Sequence, residues 1–423
     1  MLRTYIHSTC PWSASSYSIL VTRTVPQMVR GGYKDICLGT WYGLQGSPLP
    51  WTITDKEGKP FHTVMVLPCI NGNNYAIDTM LPAYQHFKAD MLLTICDVWV
   101  FPPKETAQMN FCPWLPIDMQ PAPKPVLDSL QTALYPMIYS KWGVEVLAQA
   151  GIKAHYVPGS APANIYKPGD KQAARATMTF PADADFIVTM VSANKDPMDR
   201  KGFAEALAGF ARFAESHPHA YLYLHTAWGG AIDIRALCDS LGIRGKVIQP
   251  DGFGFAMGML DDNYMATVYQ ASDVLLNPCK SEGFGLPLVE AQMSGCPIAV
   301  TDFATTDELL FAGWKIQGQP DWATGLNSWR VRVYIDSVVS VLEEAYKNRN
   351  NPKLAKKARN GAIRFDNETV FNQYWKPALK EIEKLIESGK VFGVNGNHDP
   401  ADKAWRESVK ERHTVKEVEQ VAA

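Results

Sequence analysis

The stretch SEGFGLPLVEAQMSGCPIAVTD, residues 281–302, constrains this chain more than any other. It opens on Ser281 and Glu282, turns through Gly283, Phe284 and Gly285, and passes Leu286 into a helix near Pro287 that carries a second acid, Glu290. Pro287 suits a first-turn position, where a missing N–H leaves no bond unmade. The amides of that turn point back toward glycines whose lack of a Cβ lets a ligand approach the backbone. Such a corner is a ready anion site. Two carboxylates beside it would repel a bare phosphate. They suit a ligand with neutral hydroxyls on both sides of its phosphates, Glu282 serving a sugar and Glu290 a ribose. The plainer reading makes both of them solvated acids at a helix start, favoured by the dipole alone.

The whole string is longer than that plainer reading needs. Glu282 and Glu290 bracket seven residues that include Gly-Phe-Gly-Leu-Pro, and Ser294-Gly295 precede the apolar run CPIAVT. In this the sequence resembles the retaining glycosyltransferases of family 4. The resemblance implies the GT-B fold: an α/β protein of two Rossmann-like domains facing a cleft, with C-terminal helices crossing back to the first domain. It also implies a retaining, metal-independent transfer from a nucleotide-sugar, UDP- or GDP-linked, with no other cofactor.

Length agrees with two domains, since 423 residues exceed one ordinary core. A net charge of −2 gives no overall pull toward nucleic acid or anionic membrane. No run of about 18 apolar residues is present, so no transmembrane segment is expected. The N-terminus MLRTYIHSTC reads as a first strand and not as a leader peptide. Eight scattered cysteines, none in a Cys-x-x-Cys pair, read as buried reduced thiols of a cytoplasmic protein. Neither they nor the histidines show metal-ligand spacing.

The first Rossmann-like domain is expected over residues 1–170, on the acceptor side. It starts as a strand, the small-residue turn CPWSASSYS, and a helix ended by Gly31-Gly32. The dinucleotide glycine pattern is absent and serines stand in its place. In the resembled family a glycine-rich loop here faces the donor phosphates, which makes Ser15 and Ser16 candidate donor contacts. An N-cap by Ser13 or Ser15 is the structural alternative. A Gly/Pro/Trp-rich insert runs from about Thr40 to Pro60. Asp97 ends the apolar strand LLTICDVWV, at the edge where open α/β sheets bind ligands. Asp97 and Trp99 are therefore candidate acceptor contacts, with a loop-capping carboxylate and a core aromatic as the alternatives. Ser140 is an expected N-cap for a helix from Lys141 to Ala150.

Residues 168–184 are expected as a linker. The donor domain, 180–350, alternates continuous apolar strands with helices, the mark of a parallel sheet covered on both faces. Phe203, Leu207, Phe210 and Phe213 form a helical stripe assigned to its core. Helices over 351–392 are expected to cross back, anchored by Phe371, Tyr374 and Trp375, and residues 393–423 read as a charged tail.

Cleavage of a sugar–diphosphate bond builds negative charge on the leaving phosphate, which calls for cations and fixed amide dipoles. The resemblance places a basic residue before a glycine after the first donor-domain strand, and Lys201-Gly202 matches it. A second family cation falls where this chain has Asp196, so Arg200 is the candidate substitute. Glu282, Lys201 and Arg200 are thus the catalytic candidates. Glu290 and the Gly283, Phe284, Gly285 and Leu286 segment are the donor-binding ones, with the base near Pro250–Gly254. The acceptor stays open: a glycan, a lipid-linked or small-molecule hydroxyl, or modified nucleic acid. Two alternatives stand beside the main reading: a DNA-modifying transferase acting on a hydroxylated base, and a non-catalytic nucleotide-binding module.

Overall fold

The computed structural model of the protein describes residues 2–70 and 74–388; the tail expected over 393–423 lies outside them. The chain divides into two compact units, Met1–Ser160 with Leu326–Ser328 and Asn367–Ala423, and Ala161–Gly325 with Trp329–Asp366.

The first unit holds strands β1 (Thr4–Thr9), β2 (Ile36–Tyr42), β3 (Leu49–Thr54), β4 (Pro60–Leu67), β5 (Met91–Ile95), β6 (Phe111–Leu115), β7 (Met137–Ile138) and β8 (His155–Tyr156). They make one sheet in the order β3-β4-β2-β1-β5-β6-β7-β8. Every neighbouring pair is parallel except β3 with β4. Strands β1, β5 and β6 are buried along their whole length, as their apolar runs require. The insert expected after Thr40 instead supplies β3, a half-exposed antiparallel edge strand. An edge strand buries little, so its residues carry no apolar run to announce it.

Ser15 caps the helix Ser16–Arg30 by accepting from the Ser18 amide, and Ser140 caps Lys141–Gln149 by accepting from Gly143. At the C-terminus the helix Asn367–Val370 widens into a π turn, Phe371–Trp375, before Lys376–Glu387 resumes. Pro377 accounts for this, because it has no N–H to bond the carbonyl four residues back. Trp375 is 2% exposed and meets Trp114 edge-on at 4.7 Å, while Tyr374 meets Tyr156 at 5.2 Å. The Phe371 ring covers Gly31, where a Cβ would collide with it.

The second unit holds β9 (Phe186–Val191), β10 (Ala220–His225), β11 (Val247–Ile248), β12 (Val274–Asn277), β13 (Ile298–Thr301) and β14 (Gly313–Ile316). The order is β11-β10-β9-β12-β13-β14, parallel throughout. A separate two-stranded hairpin, β15 (Gly318–Ala323) with β16 (Ser328–Val333), follows it. Phe203, Leu207, Phe210 and Phe213 of the helix Phe203–Ser216 all sit in the core. Strand order reverses between β9 and β12, so their carboxyl ends form the switch point at which such sheets bind ligands.

Residues 168–184 are not a loose linker: Asp170 caps a helix, Lys171–Thr177, that is built into the second unit. Its Arg175 and Lys171 both pair with the buried Asp273, at 2.5 and 2.6 Å, and Asp273 also accepts from the Ile187 amide at the start of β9. The stretch looked like a linker because it is polar and Pro/Gly-flanked, and its buried charges find their partner about a hundred residues away.

All eight cysteines are buried free thiols. No helix among the described residues is long and apolar enough to cross a membrane.

Candidate functional site

The loop after β9 approaches the end of β12 closely enough that only glycine fits at 202. Gly202 has φ +71, and a Cβ there would lie 2.4 Å from the Pro278 carbonyl oxygen. Asp199 fixes the following helix by accepting from the amides of Phe203 and Ala204. Asp196, at the position where a cation is expected from the resemblance, accepts from the Met198 amide and so shapes the same loop. These constraints deliver Arg200 and Lys201 to the residues that follow β12.

There the two cations meet the acidic corner. Lys201 Nζ lies 2.6 Å from Glu282 Oε2, with side chains 18% and 21% exposed. Arg200 donates to the Ser281 carbonyl at 2.6 Å, and the Lys280 amide donates to the Arg200 carbonyl at 2.7 Å. Burial pushes the Glu282 carboxyl up, but the charges of Lys201 and Arg200 outweigh it and hold the group below the usual glutamate range. Burial likewise depresses the Lys201 ammonium, and the negative charge of Glu282 beside it reverses this, so its affinity for the proton rises. Burial raises the Cys279 thiol, leaving it a neutral neighbour at ordinary pH. At neutral pH the site therefore carries two cations and one carboxylate, a net positive charge.

The corner leads into the helix Leu286–Met293, with Gly285 as N-cap at φ +90 and Pro287 in the first turn. A Cβ on Gly285 would press on Leu288 and approach Glu282 Cγ at 3.3 Å. Phe284 and Leu286 are buried, and the Phe284 ring meets Phe365 edge-on. The Thr305 hydroxyl reaches the carbonyls of Glu282 and Phe284 from the loop after β13. Glu290 is 5% exposed and accepts from the Tyr269 hydroxyl at 3.0 Å, bracing its helix to the neighbouring helix Asp262–Ala271.

Arg200, Lys201, Glu282, Gly283, Phe284, Gly285 and Leu286 are thus assembled at the carboxyl ends of β9 and β12, with Glu290 about one turn further into the helix. Ser15, Ser16, Asp97 and Trp99 belong to the first unit. Ser15 is engaged as the helix cap and joins the hydroxyls of Thr9 and Ser18, while Ser16 is exposed in the first turn. Asp97 follows β5 and the serine turn follows the adjacent β1, and the Tyr17 hydroxyl bonds Asp97. Trp99 is 53% exposed and lies edge-on to Tyr75 at 6.3 Å. Among the described residues no three His, Cys, Asp or Glu side chains gather as a metal-binding group. Sequence reasoning passed over Lys280, Thr305 and Tyr269. Thr305 had a usable signal, a hydroxyl-rich loop directly after an apolar strand; Tyr269 had none, because helix–helix partners are not written in local order.

Comparison with known proteins fits this geometry. Residues 230–321 match the family described as Glycosyl transferases group 1. The chain is 30% identical over 138 residues to a D-inositol 3-phosphate glycosyltransferase of Mycobacterium avium, covering 32% of this chain and 30% of that protein. It is 27% identical over 133 residues to the serotype-specific mannosyltransferase WbdA of Escherichia coli, covering 31% of this chain and 16% of that one. The matched stretch thus spans less than a third of those relatives' lengths. Among solved structures, sucrose-phosphate synthase from Thermosynechococcus elongatus aligns over 91% of this chain and 98% of its own, with a TM-score of 0.63 at 13% identity. HepE of Anabaena, solved in complex with UDP and glucose, aligns over 90% and 100%, with a TM-score of 0.64 at 14% identity. The fold is thus that of the GT-B glycosyltransferases, and over the matched segment the sequence is similar to the group 1 glycosyltransferases.

Proposed function

We propose that the protein transfers a glycosyl unit from a nucleoside-diphosphate sugar, UDP- or GDP-linked, to an acceptor hydroxyl with retention of configuration. The observation that carries this reading is the Lys201–Glu282 pair, with Arg200 beside it, set against the glycine corner that opens the Leu286–Met293 helix. The net positive charge there suits a leaving diphosphate. Lys201 is held protonated, so a phosphate oxygen would meet a full charge without waiting for a proton. Glu282 is held ionised and would orient sugar hydroxyls as an acceptor of their hydrogen bonds. The amides of Phe284 to Leu286, at the entrance to that helix, add fixed dipoles on the phosphate side. With two fixed cations and these amides in place, the reading calls for no metal ion. Glu290 takes the ribose hydroxyls, sharing its carboxylate with Tyr269.

HepE of Anabaena, solved with UDP and with UDP-glucose bound, supports a nucleotide-linked donor by analogy of fold. Retention rests on the family resemblance. The test is transfer from a panel of labelled nucleotide-sugars to mixed glycan and small-molecule acceptors. Lys201→Ala and Glu282→Ala are each expected to lower kcat by about a hundred-fold or more, with the melting transition retained. Full activity in both variants would end the proposal.

A further inference from the structure

A glycine-rich corner is loose unless something holds it, and here the hold runs through a residue outside the proposed machinery. Lys280 immediately precedes Ser281, the residue whose carbonyl Arg200 binds. Its own peptide is bonded on both sides: the amide donates to the Arg200 carbonyl at 2.7 Å, and the carbonyl accepts from the Val331 amide of β16 at 2.9 Å. The side chain, 8% exposed, turns inward to place Nζ 3.3 Å from Glu205 Oε1 on the helix Phe203–Ser216. Glu205 Oε2 is buried with no hydrogen-bond partner, which leaves that carboxylate dependent on the Lys280 charge. On the hairpin, Asp321 is gripped by Arg330 at 2.6 Å and Arg332 at 3.0 Å. Burial pushes the Asp321 carboxyl up, and the charges of Arg330, Arg332 and Lys280 bring it below the usual range. Lys280 therefore sits in the fields of two carboxylates carried by two different elements.

Buried ion clusters of this kind contribute little net stability and are best explained by the single arrangement that they select. The arrangement selected here ties the corner, the helix that starts at Phe203 and the β15–β16 hairpin together. The geometry points to Lys280, backed by Glu205 and the hairpin, as the positioning residue that holds Arg200 and Glu282 in register with each other. This rests on the function proposed above. Small displacements of reacting groups act on turnover more than on ground-state binding.

The experiment is amide hydrogen exchange of the full chain over residues 281–286, run alongside transfer kinetics. Lys280→Met keeps the stem and removes the charge, and Lys280→Arg keeps the charge. In Lys280→Met, exchange at 281–286 is expected to quicken about ten-fold and kcat to fall about ten-fold, with donor KM within about twofold; Lys280→Arg restores most of both. Wild-type exchange in Lys280→Met, or no recovery in Lys280→Arg, overturns the inference. Should Lys280→Met fail to fold, Asp321→Asn on the hairpin carries the same exchange test. A wild-type protein that transfers no sugar would sink the function alone, since the exchange comparison still decides whether Lys280 holds the corner.

Discussion

Gly285 shows how much a single position contributes to the corner. Its φ of +90 costs any L-residue backbone energy, and an added Cβ would also sit 2.8 Å from Leu288 Cδ1. Gly242, in the same unit, has φ +67 with nothing within 4 Å of a Cβ. Gly242→Ala thus measures the backbone cost by itself, about 1 kcal/mol. Gly285→Ala is expected to lose about 2–3 kcal/mol in denaturant unfolding, because strain and crowding add. Equal losses for the two substitutions would mean that the corner is not tightly packed. At this scale much was legible beforehand. A glycine before Leu-Pro and flanking acids constrain local geometry whatever the rest of the chain does, and Lys201 before Gly202 carried a similar signal. Lys280 carried none, because its importance lies in Glu205 and Val331, which only the folded chain brings beside it.

Elements were legible where burial is two-sided. The strands β5, β9 and β12 and the Phe203–Ser216 helix are written in continuous or periodic apolar residues, so pattern alone located them. The edge strand β3, the hairpin β15–β16 and the Lys171–Thr177 helix were not, since each is partly exposed, and the helix is held by a partner about a hundred residues away. The last of these makes a sharp test. Asp273 is 2% exposed at its side chain and carries both Lys171 and Arg175, besides capping the Ile187 amide. Asp273→Ala leaves a buried guanidinium and a buried N–H without their acceptor, and is expected to cost about 3–5 kcal/mol. Replacing Lys171 by Met, at the more exposed end of the cluster, should cost about 1 kcal/mol or less. Urea unfolding of the two variants measures the contrast. Similar losses would show that the helix is attached by its apolar contacts instead.

Across the whole molecule, three histidines set how the fold answers to acid. His7 on β1, His155 on β8 and His225 on β10 are each pushed down to about 4, in every case mainly by burial. His7 bonds the Tyr75 carbonyl, His155 stacks on Tyr135 at 3.7 Å, and His225 packs against Phe255. The ordinary histidine value is about 6.5, so between about pH 6.5 and 4 the unfolded chain binds protons that the folded chain refuses. Stability is then present above pH 6.5 and is lost as pH falls, by up to about 1.4 kcal/mol per pH unit for each histidine. The depressed carboxyls of Glu282 and Asp321 work in the same direction at lower pH, since they too must protonate on unfolding in acid. Two of the three histidines, His7 and His155, belong to the first unit and one, His225, to the second. Urea melts at pH 7.5, 6.5, 5.5 and 4.5 should therefore show both units weakening through this window, the first about twice as steeply as the second. Tryptophan fluorescence weighted to Trp114 can follow the first unit, because that ring is fully buried beside Trp375. His7→Gln and His155→Gln together would flatten the slope of the first unit and leave that of the second intact. A slope of the first unit unchanged by the double substitution would mean that these two imidazoles titrate alike in both states, and that acid acts on that unit through its carboxylates.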